Sequence, residues 1–423
     1  MKIMVVGGGG REHAIVKKIK QSPKVDQIFV LPGNAGMRDD AVCVDIGAKD
    51  IDGIVKFAKE NKIDYAIVAP DDPLVLGAVD SLNEAGIPCF GPRANAAIIE
   101  GSKIFSKNLM KKYNIPTAKY EVFTDMEAAL KYLENESYPT VIKADGLALG
   151  KGVVIAMNKD EAVEAVRSMM EDRMFGDSGS RVVIEEFLTG PEVSVLAFTD
   201  GKTVIPMVSS MDHKRALDND MGLNTGGMGT IAPNPYYTKN IADTCMKDIF
   251  MPTINAMNAE GRTFKGCLYF GLMITPTGPK VIEYNCRFGD PETQVVLPLL
   301  EGDLLEIMMA CTNGTLDKTE VKFSDGAACC VIMASGGYPK SYKNGFEITV
   351  DGGMTADIYF AGAKETDGKL VTAGGRVLGV TAVEKDLASA IAKAYENVKK
   401  VNFEGAHYRK DIGKRAMAAS VEN

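Results

Sequence analysis

The sequence predicts an α/β and α+β multidomain chain that opens on a parallel-sheet domain and closes on a small α+β domain. Three observations carry that prediction. The chain has 423 residues, more than one ordinary core organises, so two to four domains are expected. Up to about residue 100, short apolar runs alternate with helix-period segments at the spacing of strand–helix–strand units, which build a parallel sheet with helices on both faces. From about residue 326 the pattern changes to short strands at Ala328–Met333, Phe346–Val350, Ala356–Phe360 and Arg376–Thr381, followed by a helix at Leu387–Val401.

Composition narrows the function classes. An apolar share of 46% and a charged share of 25% are those of an ordinary globular protein. A net charge of −8 argues against the broad basic field that nucleic-acid or membrane-surface binding needs, yet leaves room for a small anion in a local basic pocket. There is no run of about 18 apolar residues. Met1–Val6 leads straight into glycines rather than a signal-peptide core and cleavage site, so a cytoplasmic protein with no membrane partner is expected. The 8 Cys include no Cys-x-x-Cys pair and read as reduced core residues, and the 3 His are too scattered for a metal cluster.

The first strand, Lys2–Val6, runs into Gly7-Gly8-Gly9-Gly10-Arg11-Glu12-His13 and a helix carrying Ala14, Ile15, Val16 and Ile19. Backbone N–H groups at such a turn suit a phosphate, with close helix–strand packing as the plainer alternative. The dinucleotide fingerprint is not met, since Glu12 or His13 stands at its third glycine, and the second strand, near Gln27–Leu31, ends in Pro32-Gly33-Asn34 without an acid for a ribose. A helix at Ile51–Ala58, a strand at Tyr65–Ala69, Pro70-Asp71-Asp72-Pro73, one helix to Glu84 and a strand within Pro88–Pro92 follow. Gly7–Gly10, Gly33-Asn34 and Asp71-Asp72 all fall at carboxyl ends of strands, where open α/β sheets bind ligands, so they are expected to share one crevice.

Asn95–Asn114 reads as one helix containing Lys103. Thr140–Ala144 and Val153–Ala156 read as a hairpin flap whose turn, Asp145–Gly152, has Lys143 at its base and Lys151 at its tip. It is not a Walker A loop, because Asp145 replaces the first glycine, Gly152 replaces the Ser/Thr and a strand follows; glycine amides between two cations still suit phosphates. After a helix from Lys159, the strand Arg181–Glu186 runs into Phe187-Leu188-Thr189-Gly190-Pro191-Glu192, an interdomain hinge or, more plainly, a buried strand with exposed acids. Ser209–Arg215 and Asn224–Gly229 read as loops, with Asp212 suited to an amine, Lys214 and Arg215 to phosphate or carboxylate, and His213 to packing or the surface rather than to a base. Ile241–Ala259 reads as one helix, Gly271–Ile274 as a strand and Gly302–Cys311 as a helix. Between the last two, Val281–Glu292 is a strand that ends in charge. Glu283 and Asn285, two residues apart, share a face as two hard oxygens suited to Mg²⁺ on phosphates, and Arg287 adds a planar cation.

Together, Lys103, Lys143, the glycine flap, the acid-ended hinge and Glu283/Asn285 resemble the ATP-grasp superfamily. Within it, Gly9-Gly10-Arg11-Glu12-His13, Pro32-Gly33-Asn34-Ala35-Gly36, Ile142–Ala148, Asp212-His213-Lys214-Arg215, Asn224–Gly229 and Glu283–Glu292 resemble the phosphoribosylamine–glycine ligase family over nearly the full length. Two departures are Ala69-Pro70-Asp71-Asp72, where the family usually has Gly-Pro-Glu, and Leu149, where a small Ala is common. The resemblance implies a biotin-carboxylase-like N-terminal domain at 1–100, an ATP-grasp domain at 101–325 with its flap at about 118–190, and a C-terminal domain at 326–423. It implies ATP and Mg²⁺ as cofactors, with Mn²⁺ as a substitute. The reaction implied is ligation of glycine to 5-phosphoribosylamine in purine biosynthesis, by a monomer acting on small molecules. By the same resemblance Glu283 and Asn285 hold the metal, and Lys103, Lys143, Gly146, Gly150, Lys151 and Gly152 hold ATP phosphates. Glu185, Glu186, Phe187, Leu188 and Glu192 hold adenosine. Asp212, Lys214 and Arg287 serve the reacting groups, while Gly9, Gly10, Asn34, Thr225, Gly226 and Gly227 hold substrate. Another ATP-grasp ligase or carboxylase, and a catalytically silent nucleotide-binding regulator, are the alternatives at this point.

Overall fold

The computed structural model describes residues 1–147, 152–171 and 180–422. The N-terminal sheet has five parallel strands in the spatial order Val42–Cys43, Gln27–Pro32, Lys2–Gly7, Tyr65–Val68 and Cys89–Phe90. Ile3, Met4, Val5 and Val6 are fully buried, as a strand covered on both faces requires. Two helices read as continuous are split. Gly77, at φ +86°, separates Asp71–Val75 from Ala78–Glu84. Ser102, extended at φ −138°, separates Ala94–Gly101 from Lys103–Lys112 and caps the latter by accepting the Phe105 N–H at 3.1 Å.

Two four-stranded sheets follow. One runs Tyr120–Phe123, Val182–Glu186, Thr140–Ala144, Val153–Ala156, so the expected flap hairpin is present, with Lys143 opposite Val153. The other runs Val204–Pro206, Glu192–Thr199, Gly266–Thr275, Gly278–Asn285. The expected helix Ile241–Ala259 is Lys239–Cys245, a wider π turn at Met246–Phe250 and Met251–Ala259. Pro252 has no N–H for a normal helical bond, which accounts for the wider turn.

The segments read as loops are partly strand. Met211–Asp212 and Gly229–Ala232 form the edge of a five-stranded antiparallel sheet completed by Ala327–Ala334, Arg376–Glu384 and Asp357–Phe360. Arg215–Leu217 and Met221–Asn224 form a separate hairpin. Strands of two to four residues are too short to show an alternation. The last long helix ends at Val398, and Val401–Asn402 pairs instead with Thr349–Val350. All eight cysteines are free thiols, buried except for half-buried Cys43. Among the described residues no helix is long and apolar enough to cross a membrane.

The N-terminal and C-terminal sheets meet at Phe360. Its N–H donates to His13 Nδ1 at 2.8 Å, so His13 carries its hydrogen on Nε2, 3.1 Å from Asp40 Oδ2. Asn34 Nδ2 donates to Phe360 O at 2.9 Å. A Cβ on Gly36 would overlap Cβ, Cγ and Cδ2 of Phe360, the stiff end of that side chain. Gly36→Ala is therefore expected to cost about 1–3 kcal/mol by overpacking. Urea unfolding measures it, and an unchanged midpoint would show that the contact yields freely.

Candidate active site

Three lysines close around Glu283. Lys103 begins the helix Lys103–Lys112 and donates to Gly146 O at 2.8 Å. Lys143, near the end of the strand Thr140–Ala144, donates to Ile282 O at 3.1 Å. That carbonyl is available because the ladder slips at this point: Val281 faces Leu272 and Glu283 faces Gly271, leaving Ile282 unpaired as a bulge. Lys214 Nζ lies 3.8 Å from Glu283 Oε1 and 3.1 Å from Glu192 Oε2. Burial pushes the Glu283 carboxyl up, but Lys214, Lys143, Lys103 and Arg287 together hold it below its ordinary value. Burial lowers Lys103, and Glu283 resists that.

Asn285 follows on the same strand, and its partners fix its amide: the nitrogen donates to Glu100 Oε1 at 2.9 Å and to Tyr284 O at 3.3 Å. Only its oxygen remains for a cation. Glu283 and Asn285 thus offer two hard oxygens. Among the described residues no cluster of three or more His, Cys, Asp or Glu could hold a metal. The donor set fits Mg²⁺ that takes its other ligands from phosphates and water.

The hinge differs from expectation. The Glu185 side chain, expected beside adenosine, is buried between two lysines, with Lys107 Nζ at 2.9 Å and Lys143 Nζ at 3.2 Å from Oε2. Its Oε1 lies 3.1 Å from Lys143 Nζ at an angle that makes no hydrogen bond. Glu186 turns outward, accepting from the Lys119 N–H at 2.9 Å, beside Lys280 at 3.4 Å. Phe187 is exposed, Leu188 half-buried and Glu192 exposed. Of the flap residues, Gly146 and Gly152 are placed at the ends of the hairpin turn, and Gly152 O accepts the Ala144 N–H at 2.9 Å. Gly150 and Lys151 lie outside the described residues.

On the opposite side, Asp212 and Glu292 face each other. Burial, then the neighbouring Glu292, pushes the Asp212 carboxyl well up, and burial raises Glu292 too. Asp212 Oδ1 accepts the His213 N–H at 2.7 Å. His213 is buried and neutral: its Nδ1 donates to Gly229 O at 3.0 Å and its Nε2 accepts the Gly413 N–H at 3.1 Å, while burial pulls the ring down to about 4. Of the packing and surface roles expected for it, the structure gives packing. Arg287 Nη2 pairs with Glu100 Oε1 at 3.0 Å, while its buried Nε has no hydrogen-bond partner in the protein. Burial raises Asp71, but Arg287 and Arg11 pull it below its ordinary value, which puts this departure from the family pattern among the same charges.

Thr225–Gly227 join this side. Thr225 Oγ1 donates to Lys214 O at 2.8 Å and accepts the Gly227 N–H at 3.0 Å, and the Gly226 N–H donates to the Tyr338 hydroxyl at 3.1 Å. Gly227 has φ +114°, and a Cβ there would stand 2.6 Å from Asp212 Oδ1. The two expectations at the N-terminal turn change more. The Gly9 N–H is spent on Glu12 Oε2 at 2.6 Å, and a Cβ on Gly10 would stand 2.6 Å from Gln294 Nε2. These glycines therefore let the helix approach residues 290–294, the plainer alternative. Asn34 is likewise engaged throughout, donating to Gly8 O and Phe360 O and accepting from the Gly36 N–H, each at 2.9 Å, so its side chain shapes the turn.

The phosphoribosylglycinamide synthetase family models match in three consecutive parts: the N domain at residues 1–100, the ATP-grasp (A) domain at 101–293 and the C domain at 328–415. The chain belongs to the phosphoribosylglycinamide synthetase family. A phosphoribosylamine–glycine ligase of Caldanaerobacter subterraneus subsp. tengcongensis is 49% identical, over 97% of this chain and 99% of its own. One of Haemophilus influenzae is 48% identical over 100% of both. The crystal structure of the phosphoribosylamine–glycine ligase of Thermotoga maritima superposes with a TM-score of 0.87 at 34% identity, covering 97% of this chain and 100% of that one. Biotin carboxylase of Campylobacter jejuni shares the fold, with a TM-score of 0.74 at 16% identity over 100% of this chain and 95% of that one.

Three further residues border the site without a functional signal of their own in the sequence: Lys107, Glu100 and Arg376. Lys107 stands one helical turn after Lys103, a spacing that could have revealed it. Glu100 and Arg376 act through distant ion pairs, for which a single sequence holds no signal. Burial lowers the Lys107 ammonium to about 8 against an ordinary 10.5, with Glu185 resisting. Between those values the unfolded chain binds more protons than the folded one, so stability referable to Lys107 rises as pH climbs through that window. From about pH 7.5 to about pH 9.5, urea unfolding should show wild type gaining about 2 kcal/mol on Lys107→Met. A constant difference would mean that the ammonium is not held this way.

Proposed function

We propose that the chain ligates glycine to 5-phosphoribosylamine, giving glycinamide ribonucleotide, ADP and phosphate, in purine biosynthesis. The observation that carries the reading is the cluster of Lys103, Lys143 and Lys214 around Glu283, with Arg287 at its end. Such a cluster neutralises a polyphosphate and a substrate carboxylate together. A glycine carboxylate oxygen attacks the γ-phosphorus, the bond to the β-phosphate oxygen breaks and ADP leaves. The sugar amine then attacks the carbonyl carbon of glycyl phosphate, phosphate leaves and one amine proton is lost. The protein forms no covalent bond in either step, and its part is positioning and charge neutralisation.

Lys103 and Lys143 bind the ATP phosphates in this reading, and Arg287, through its unpartnered Nε, binds the glycine carboxylate and then the acyl phosphate. Lys214 binds the acyl phosphate once it has formed, near Glu283. Asp212 takes the amine proton from its ionised form, its proton affinity raised by burial and by the neighbouring Glu292. Phe187 and Leu188 flank the adenine, and Glu192 lies toward the ribose. Glu283 and Asn285 would hold Mg²⁺, which supplies charge neutralisation on the phosphates when bound. Mn²⁺ substitutes for it, and the enzyme works as a cytosolic monomer.

Glycine carrying ¹⁸O in its carboxylate should pass one label into released phosphate, and unlabelled phosphate would reject glycyl phosphate. Glu283→Gln should keep its fold and lose roughly 10–100-fold in turnover at limiting Mg²⁺, a ligand costing no less than the outer groups that support one. Near wild-type turnover under those conditions would remove Glu283 from the metal site.

A further inference from the structure

The hairpin Arg215–Asn224 springs from the segment that carries Asp212 and Lys214 and returns to Thr225–Gly227. Its tip holds two consecutive non-glycine residues in the left-handed region, Asn219 at φ 57° and Asp220 at φ 55°. Such backbone persists where surroundings over-determine it. Here the surroundings are residues 407–415, almost two hundred positions later.

Arg409 is the centre of that strap. Its guanidinium is 1% exposed and grips Asp411 with two parallel bonds, Nε to Oδ1 at 2.8 Å and Nη2 to Oδ2 at 2.9 Å. Nη1 reaches across to the hairpin, donating to Arg215 O at 3.1 Å and Asp220 Oδ1 at 3.0 Å. The other face of the Asp411 carboxylate accepts the Asn219 N–H at 2.8 Å. The Lys410 N–H donates to Asp218 Oδ1 at 2.8 Å, Arg415 pairs with Asp220 at 3.2 Å and His407 Nε2 bonds to Ala216 O at 2.7 Å. The Gly413 N–H reaches His213, between Asp212 and Lys214.

The strap is itself anchored. His407 exchanges both backbone bonds with Ala334 of the C-terminal sheet, and the Tyr395 hydroxyl donates to Arg409 O at 2.7 Å. Asp218, Asp220 and Asp411, together with backbone carbonyl and amide groups of the hairpin and strap, thus converge on one buried cation and its neighbours. Lys103 and Lys143, by contrast, stand on elements the strap does not touch.

We propose that Arg409 is a positioning residue for the acyl-transfer half of the reaction: it locks the hairpin so that Asp212 and Lys214 are presented to the substrates in register. The inference rests on the assignment of Asp212 and Lys214 to the substrate side. Its signature is a split between substrates. Displacing oriented groups by about 1 Å costs up to roughly 100-fold in rate, so Arg409→Met should lower kcat by about 10–100-fold. The dissociation constant for ATP should stay within about 2-fold of wild type, because the ATP-side lysines keep their supports. Arg409→Lys, which keeps charge without the fork, should fall between.

Removing a buried guanidinium can also unfold a protein, so Asp220→Asn at the half-exposed hairpin tip is measured alongside, with Lys214→Met as a control and thermal melting for each. Reduced kcat with retained ATP binding in Asp220→Asn, in the same direction as in the Arg409 variants, supports the proposal. Wild-type kcat in folded Arg409→Lys and Asp220→Asn, or loss of ATP binding in parallel with kcat, overturns it. Wild-type activity in Lys214→Met would instead refute the substrate-side assignment, whatever the Arg409 variants do.

Discussion

The ion pair between Arg287 and Glu100 fixes the segment on which the rest of the site depends. Residues 286–292 leave the strand Gly278–Asn285 with no regular ladder to hold them. Charge takes the place of a ladder. Glu100 also accepts the Cys286 N–H at 2.7 Å, Arg11 donates to Phe288 O at 3.1 Å, and Arg376 donates to Asp290 O at 2.8 Å while pairing with its carboxylate at 3.3 Å. Arg376 also donates to Gly226 O at 2.7 Å, so a C-terminal residue ties the 225–227 turn to residue 290. Breaking a buried pair of this kind from one side costs roughly 3–5 kcal/mol, while replacing it by well-packed apolar groups is often neutral. What these pairs contribute is therefore geometry: three parts of the chain are held to one set of distances.

The site divides its charge. On one side stand lysines whose fields keep Glu283 ionised; on the other, burial raises both Asp212 and Glu292 toward the neutral form, and Glu292 adds to the rise at Asp212. A protein of net charge −8 thereby builds a cationic cluster beside a pair of buried carboxyls with raised proton affinity. Lys214 stands between the two halves, reaching Glu192 and Glu283 from the same segment as Asp212.

Much of this was legible in the sequence, for stated reasons. The parallel sheet showed itself because short apolar strands alternate with helix-period segments at a regular spacing. The flap hairpin showed itself because paired strands flank a glycine turn. Lys143, Glu283 and Lys214 do converge, as their motifs implied. What a linear reading lost were the partners. Glu185 reads as a surface acid because nothing in its neighbours announces Lys107, and Asn34 and Gly9 read as ligand groups because the same residue types cap helices and close turns. Arg409 and Asp220 lie 189 positions apart and carry no mutual signal in one sequence.

The five-stranded sheet near the C-terminus takes Met211–Asp212 and Gly229–Ala232 from the middle of the chain. During synthesis those strands emerge about a hundred residues before Ala327–Ala334 can pair with Gly229–Ala232, and until then they present an open edge. The order of assembly follows. The N-terminal sheet can close as soon as it has left the ribosome, whereas the central region stays incomplete until nearly the whole chain is made. A nascent or prematurely terminated chain would then expose a sticky strand edge while its active site was still unformed. The geometry that lets one late segment hold the Arg215–Asn224 hairpin also makes the enzyme indivisible.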